Sequence, residues 1–317
     1  MRFLLIGGAG TIGYRLAPIL RELGHDVFIM SHGRGLHSDE YYIRGDIMYI
    51  DDIRHAVRYS QVDRIVHLAA EVSRRGSEAN LVKTATVNSI GTLNVALVAE
   101  EANIPMLFTS TSEVYGRMFD YGRVPVTEDM QPDPFNNMYA LSKYHAEQQM
   151  VYLSKRNLRG SIARIFMTYG EGKFHRAHGN VAGIYSGLEI MATGLLMDKP
   201  IEVHENTARQ WCYVDDTCRA LITMALRAKS MTSGGPPDIY HVGQPVLHQS
   251  LQVAKTLADI LSKDYSLIKL VPCPPDTIPV KVASFEKIRR ELGFEAKISL
   301  EEGLRRYINW LSVMIRR

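Results

Sequence analysis

Short apolar runs alternate with amphipathic segments along the chain, and glycines break the first alternation. The opening stretch "RFLLIGGAGTIGYRLAPILRELG" starts with an apolar run, passes through glycines and continues with Ile12, Leu16, Ile19, Leu20 and Leu23 at helical spacing before a terminal glycine. Such a run reads as a parallel strand buried on both faces, and the spacing that follows reads as a helix. "DVFIM", "RIVHLAA", "PMLFTS" and "GSIARIF" repeat the strand theme, with "TLNVALVAEEAN" and "SKYHAEQQMVYLSKR" as helices between them. Strands separated by helices predict an α/β fold: a doubly wound parallel sheet covered on both faces.

After Phe166 the rhythm changes. "MTYGEGKFHRAHGN" reads as loop, "VAGIYSGLEIMATGLL" as a helix weakened by glycines, and "DIYHVG" as a strand that returns to the main sheet. Two more helices, "LQVAKTLADILSK" and "LEEGLRRYINWLSVM", flank a proline-rich connection, "VPCPPDTIP". The organisation expected is a nucleotide-binding-type domain over 1–166 plus the strand near 238–243, interleaved with a smaller C-terminal α/β lobe over 167–317.

The 317 residues carry 37 basic and 34 acidic side chains, a net charge of +3. That balance argues against nucleic-acid or anionic-membrane partners. "FLLI" is too short for a signal segment, and no uncharged apolar run reaches the length of a membrane span. Cys212, Cys218 and Cys273 have neither metal-site spacing nor an even number, so a reduced, cytoplasmic setting without a metal is expected.

Gly7, Gly10 and Gly13 stand between the first strand and the first helix. A glycine turn there lets the backbone approach a pyrophosphate at a helix N-terminus, so the chain is expected to bind NAD(P). The second strand ends "FIMSHGRG", with Ser31 where an acidic residue usually holds the ribose diol of NAD. Arg34 follows and can pair with a 2′-phosphate, which tilts the choice towards NADP. Asp46, in "RGDI", is placed to accept from the adenine amino group.

Tyr-x-x-x-Lys occurs at Tyr139/Lys143, Tyr169/Lys173 and Tyr265/Lys269. "YGEGK" has two glycines, and "YSLIK" reads as a strand, which sets its ends about 13 Å apart. "YALSK" opens a helix, where residues four apart share a face at about 6 Å. There the Lys143 ammonium is expected to lower the Tyr139 pKa, so that Tyr139 takes a proton from a substrate hydroxyl while hydride leaves for nicotinamide.

"GGAGTIG", "GDI", "HLAA", "TSTSEVYG", "YALSK", "RQWCYVDD" and "KIRRELGFEAKISLEEGLRRYINW" come in the order of the extended short-chain dehydrogenase/reductases. Over nearly its whole length the chain resembles the nucleotide-sugar epimerases and dehydratases of that family. The resemblance implies a Rossmann domain holding NAD(P), a lobe holding a nucleotide sugar, and a homodimer. It extends the cofactor set to Thr11, Ile12, Ile47, Leu68, Ala69, Ala70 and Thr109, and gives Lys143 the nicotinamide ribose. It implies that Thr111 assists Tyr139 at the sugar C4 hydroxyl, that Arg209 and Asn180 bind the substrate pyrophosphate, and that Arg75 meets a uronic carboxylate. Two departures fall on the substrate side. "RIFMTYGEG" has Met167 and Glu171 where the family usually has asparagine and proline, and "VHENTA" before Arg209 lacks the usual glycines.

Glu113 lies two residues beyond Thr111, where a carboxylate can remove the proton on C5 once C4 is a ketone, while Ser112 positions the leaving or returning group. Three readings stay open. One is transient C4 oxidation followed by epimerisation, dehydration or uronate decarboxylation. Another is net oxidation or reduction of a nucleotide sugar. The last is a dinucleotide-sensing protein without catalysis.

Overall fold

The computed structural model describes residues 1–33, 41–72, 74–120, 125–172, 175–177, 180–182, 187–233, 235–275 and 277–316; for 74–75, 175–177 and 180–182 it describes the backbone only. Seven strands form the main sheet: β1 (Arg2–Ile6), β2 (Asp26–Ser31), β3 (Tyr42–Arg44), β4 (Arg64–His67), β5 (Met106–Thr111), β6 (Gly160–Ile165) and β7 (Asp238–Val242). Their spatial order is β7-β6-β5-β4-β1-β2-β3, and every neighbouring pair is parallel. The doubly wound α/β class read from the sequence holds. β5 is buried at all six positions, which is why its sequence shows no alternation.

The helices that matter for the site are α1 (Thr11–Glu22), α2 (Ile50–Ser60), α3 (Leu81–Glu101), α4 (Met138–Ser154), α5 (Gly187–Leu196), α6 (Val214–Arg227), α7 (Ser250–Leu261), α8 (Glu286–Leu292) and α9 (Leu300–Arg316). Helix α1 buries Gly13, Leu16, Ala17 and Leu20, whereas Leu23 at its end is exposed. By length and composition α3 is apolar enough to cross a membrane, yet it packs against α4 within the fold. Its middle, Thr86–Gly91, opens into a π-helical turn. There the Asn88 side chain accepts from the Glu71 N–H (2.8 Å) and donates to the Glu71 carbonyl and Ser142 Oγ (3.0 Å each), tying α4 to the chain after β4.

Beyond β6 the structure departs from the sequence reading. The loop-like segment holds two short pairings: Thr168–Tyr169 with Cys212–Tyr213, and His175–Ala177 with Asn180–Ala182. Val181, where a helix is expected to begin, lies in the strand Asn180–Ala182, and the helix is described from Gly187 onward. "YSLIK" is not one strand, because Tyr265–Leu267 is a 3-10 turn leading into the strand Ile268–Val271.

Candidate active site

The strand order of the main sheet reverses between β1 and β4. Open α/β sheets bind ligands at that point. The chain leaves β1 through Gly7, whose φ is 81°. A Cβ on Gly7 would lie 2.5 Å from the Ala69 nitrogen, so only glycine lets this turn pass the end of β4. The Gly7 N–H donates to the Met30 carbonyl (2.8 Å) and the Gly10 N–H to that of Gly7 (2.9 Å). Gly10 is the N-cap of α1, and among the described residues no side chain caps the helix. The first N–H groups and the positive end of the helix dipole are therefore left for an anion, which fits a dinucleotide pyrophosphate. Gly13 packs directly on the Gly8 backbone and brings α1 close to the sheet.

Of the other expected cofactor residues, Ala69 lies against this turn and Thr11 and Ile12 follow it. Thr11 is exposed, Ile12 is partly buried, and Ser31 ends β2 half-buried. Arg34 lies outside the described residues. One Asp46 carboxylate oxygen accepts from the Met48 N–H at 3.0 Å, and Ile47 is buried against Gly91. The Leu68 and Ala69 N–H groups both donate to the Ile6 carbonyl, fixing Leu68, Ala69 and Ala70 at the end of β4. Thr109 is buried, with Oγ1 donating to the His67 carbonyl at 2.8 Å.

Thr111 is the last residue of β5. Asn137 caps α4 by accepting from the Ala140 N–H at 2.7 Å. That entry puts Tyr139 in the first turn, with Lys143 and Glu147 one and two turns further along the same face. The Tyr139 hydroxyl bonds Thr111. Burial pushes Tyr139 up to about 12, against the lowering by Thr111 and with a further raise from the Glu113 charge. The sequence predicts the opposite shift, from Lys143. The structure differs because the buried Lys143 ammonium lies 4.2 Å from the Phe108 ring centre, and burial lowers it to about 7 while Glu147 raises it. Beneath them runs a buried network. Ser110 Oγ donates to Glu147 (2.5 Å), which Arg164 grips through two bonds (3.1 and 2.7 Å). Arg164 also donates to the Tyr115 hydroxyl (2.6 Å), which meets His241 Nε2 at 2.6 Å. With its carboxylate and guanidinium paired, this network holds α4 rigidly on β5 and β6.

Beyond Thr111 the chain turns through Ser112–Asp120. Ser112 is buried, and the Glu113 N–H donates to Thr111 Oγ1 at 3.2 Å. The Glu113 carboxylate pairs with the Lys281 ammonium, which comes from far along the chain. Lys281 is nearly buried, 5.7 Å from the Phe119 ring centre. Arg209 belongs to the same neighbourhood. Burial lowers its pKa and the Glu113 charge raises it. Its guanidinium donates to the carbonyls of Ala208 (2.8 Å), Ile278 (2.7 Å) and Pro279 (2.6 Å). The structure thus gathers Thr111, Ser112, Glu113, Tyr139, Lys143 and Arg209. Arg75 lies on the short helix Arg74–Ala79 and Asn180 on the strand Asn180–Ala182. The other two tyrosines stand apart: Tyr169 is buried and donates to the Leu300 carbonyl (3.2 Å), and Tyr265 is exposed and donates to Asp259 (2.6 Å).

Lys281 escaped the sequence reading because it lies in an irregular stretch without a motif and reaches Glu113 only through the fold. Glu147 left a signal: it continues the four-residue spacing of Tyr139 and Lys143.

The sequence profile of the NAD dependent epimerase/dehydratase family matches residues 3–243. UDP-glucuronic acid decarboxylase 6 of Arabidopsis thaliana is 31% identical over 314 residues, which cover 96% of this chain and 87% of that protein. UDP-glucuronic acid decarboxylase 1 of Danio rerio is 28% identical over 98% of this chain and 72% of its own length. Among solved structures, UDP-glucose 4-epimerase of Thermotoga maritima superposes with a TM-score of 0.86 at 22% identity, covering 99% of this chain and 100% of that one. UDP-glucuronic acid 4-epimerase of Bacillus cereus, in complex with UDP-glucuronic acid and NAD, gives 0.84 at 21% identity, covering 99% and 100%. At these identities the structural likeness shows the fold.

Proposed function

This chain belongs to the NAD-dependent epimerase/dehydratase family, and we propose that it oxidises C4 of a nucleotide-linked sugar transiently, works on C5 beside the ketone, and then returns the hydride to the sugar, at C4 or, after loss of a C6 group, at C6. Bound NAD supplies a hydride acceptor and a positive charge. Tyr139 takes the proton of the C4 hydroxyl, and Thr111 shares that hydroxyl. A tyrosine held near 12 needs positive charge beside it to ionise at neutral pH, and Lys143 adds to that charge when protonated. The C4 ketone acidifies the C5 proton, because the electron pair left behind delocalises as an enolate. Glu113 removes that proton, and Ser112 positions the group that leaves or returns. Arg209 and Asn180 hold the substrate pyrophosphate, for which Arg209 exchanges a carbonyl partner for phosphate oxygen. The observation that carries this reading is the convergence on Thr111 Oγ1, which meets the Tyr139 hydroxyl and accepts the Glu113 N–H. Turnover without change in total oxidised cofactor supports it; stoichiometric NADH formation points to a net dehydrogenase, and cofactor binding without turnover to a sensor.

Lys281 favours a second reading within the same scheme. A nearly buried cation against Glu113 can hold the carboxylate of a uronic sugar, with Arg75 as the other candidate, and decarboxylases stand among the relatives. A C4 ketone is β to that carboxylate. The C5–C6 bond then breaks, carbon dioxide leaves, the electron pair enters the enolate, and C5 is protonated before C4 is reduced. Incubation with UDP-glucuronate tests this: a UDP-pentose and carbon dioxide support it, and unchanged substrate contradicts it.

Three finer points belong to the same proposal. Ser31 in place of an acid leaves NADP slightly favoured over NAD. Exposed Leu81, Val82 and Ile90 on α3, with Tyr152 on α4, suit a homodimer joined through these helices. The free cysteines suit the cytoplasm.

A further inference from the structure

Glu171, at the position where the family usually has proline, is not an idle surface charge. Arg15 lies one turn after Thr11 on α1. Its Nε and Nη2 reach Asp215 at 2.9 and 3.0 Å, and its Nη1 reaches Glu171 at 3.1 Å. The other Glu171 oxygen accepts from the Tyr213 hydroxyl at 3.2 Å. Arg306 stands 3.8 Å from Asp215 on the far side. These side chains are only partly exposed: 28% for Arg15, 21% for Glu171 and 10% for Asp215. The next residue, Gly172, packs on the head of α1. A Cβ there would overlap Thr11 Cγ2 and lie 3.3 Å from Thr11 Cα. The 170–172 loop therefore crosses the first turn of α1, the turn whose free N–H groups fit a pyrophosphate.

We propose that Glu171, held by Arg15 and Tyr213, is a positioning residue of the dinucleotide site: it fastens the 170–172 loop across the head of α1 and sets how long a bound dinucleotide stays. The inference rests on the reading of that turn as the cofactor site. Its physical basis is the division of labour on Arg15. The bidentate bond to Asp215 joins α1 to α6 and survives loss of Glu171, whereas the third bond and the Tyr213 hydroxyl act only on the loop. A partly buried ion pair with a second hydrogen bond resists salt better than an exposed pair. Without it the described loop keeps only its packing on α1 beyond the strand pairing that ends at Tyr169, and the pyrophosphate leaves more easily.

Glu171→Gln keeps the shape and removes the charge. The test loads the protein with NADH, chases with excess NAD, and follows loss of NADH fluorescence, with the melting temperature of the cofactor-free protein measured alongside. Glu171→Gln is expected to release NADH roughly tenfold faster, the scale of one charge-assisted hydrogen bond, with little change in melting temperature. Glu171→Asp, which retains the charge, is expected to restore part of the difference. Added salt should speed release from the parent protein more than from Glu171→Gln. An unchanged release rate in Glu171→Gln, whether or not the protein melts earlier, overturns the proposal and leaves Glu171 as a brace of the fold. Failure of the parent protein to bind NADH at all overturns the cofactor reading itself, and is seen before any variant is made.

Discussion

The two sides of the proposed site are built differently. On the side proposed for the dinucleotide the features are those of backbone: a glycine turn with left-handed Gly7, a helix start without a side-chain cap among the described residues, and two strand ends. On the side proposed for the sugar they are side chains from distant segments, with Glu113, Arg209 and Lys281 brought together by the fold. Backbone chemistry depends on conformation, and conformation writes itself into local sequence as glycines and apolar runs. Side-chain convergence leaves no local pattern. The same difference explains how one scaffold keeps its cofactor while its substrate varies.

The largest expected effect breaks the dinucleotide side alone. Among the described residues a Cβ on Gly10 has only the Gly7 carbonyl near it, at 3.2 Å, so Gly10→Val should fold but place its branches where the pyrophosphate must lie. Calorimetric titration should find no NAD(P) binding, and normal binding would reduce the glycine turn to a mere connection.

Next comes the residue shared by both sides. Tyr139→Phe should slow hydride transfer at least ~100-fold, the usual scale for a general acid–base group, with cofactor affinity kept. Tyr169→Phe and Tyr265→Phe should leave that step nearly intact, and a larger loss in Tyr169→Phe would move the chemistry elsewhere.

The sugar side is broken alone by Lys281→Met. For a uronic substrate the KM should rise roughly tenfold, as for one lost charge-assisted bond, with NAD affinity unchanged. An unaltered KM would free Lys281 from substrate binding and leave it as the partner of Glu113.

A smaller effect sharpens the comparison by stability. His67 at the end of β4 and His241 in β7 are held neutral by burial, down to about 3. Unfolded histidine titrates near 6.5, so lowering the pH protonates the unfolded chain first. Stability should be full above about pH 6.5 and fall as the pH drops towards 3. A melting temperature constant between pH 7 and 5 would contradict the buried neutral histidines.

The inner strands were legible because strands buried on both faces have continuous apolar runs, and β7 stayed legible although it carries Asp238 and His241 and only its last three residues are buried. The segment after Phe166 was not. Its two- and three-residue pairings are too short for any periodicity, and Tyr265 is placed by a 3-10 turn rather than by a pattern. Tyr139 and Lys143 were legible as a helical pair, but not their electrostatics. The cation–π seat of Lys143 and the burial of Tyr139 depend on Phe108 and on strands that sequence spacing does not place against them.

The central claim is that Glu113 makes the reaction more than redox, by acting at C5. The most direct measurement runs the enzyme in D₂O with its nucleotide-sugar substrate and examines the product by NMR. Deuterium should enter at C5, or at the neighbouring centre that is inverted, and Glu113→Gln should abolish that incorporation while hydride transfer to the cofactor persists. Product free of deuterium, or full activity in Glu113→Gln, would contradict the account and leave a plain dehydrogenase.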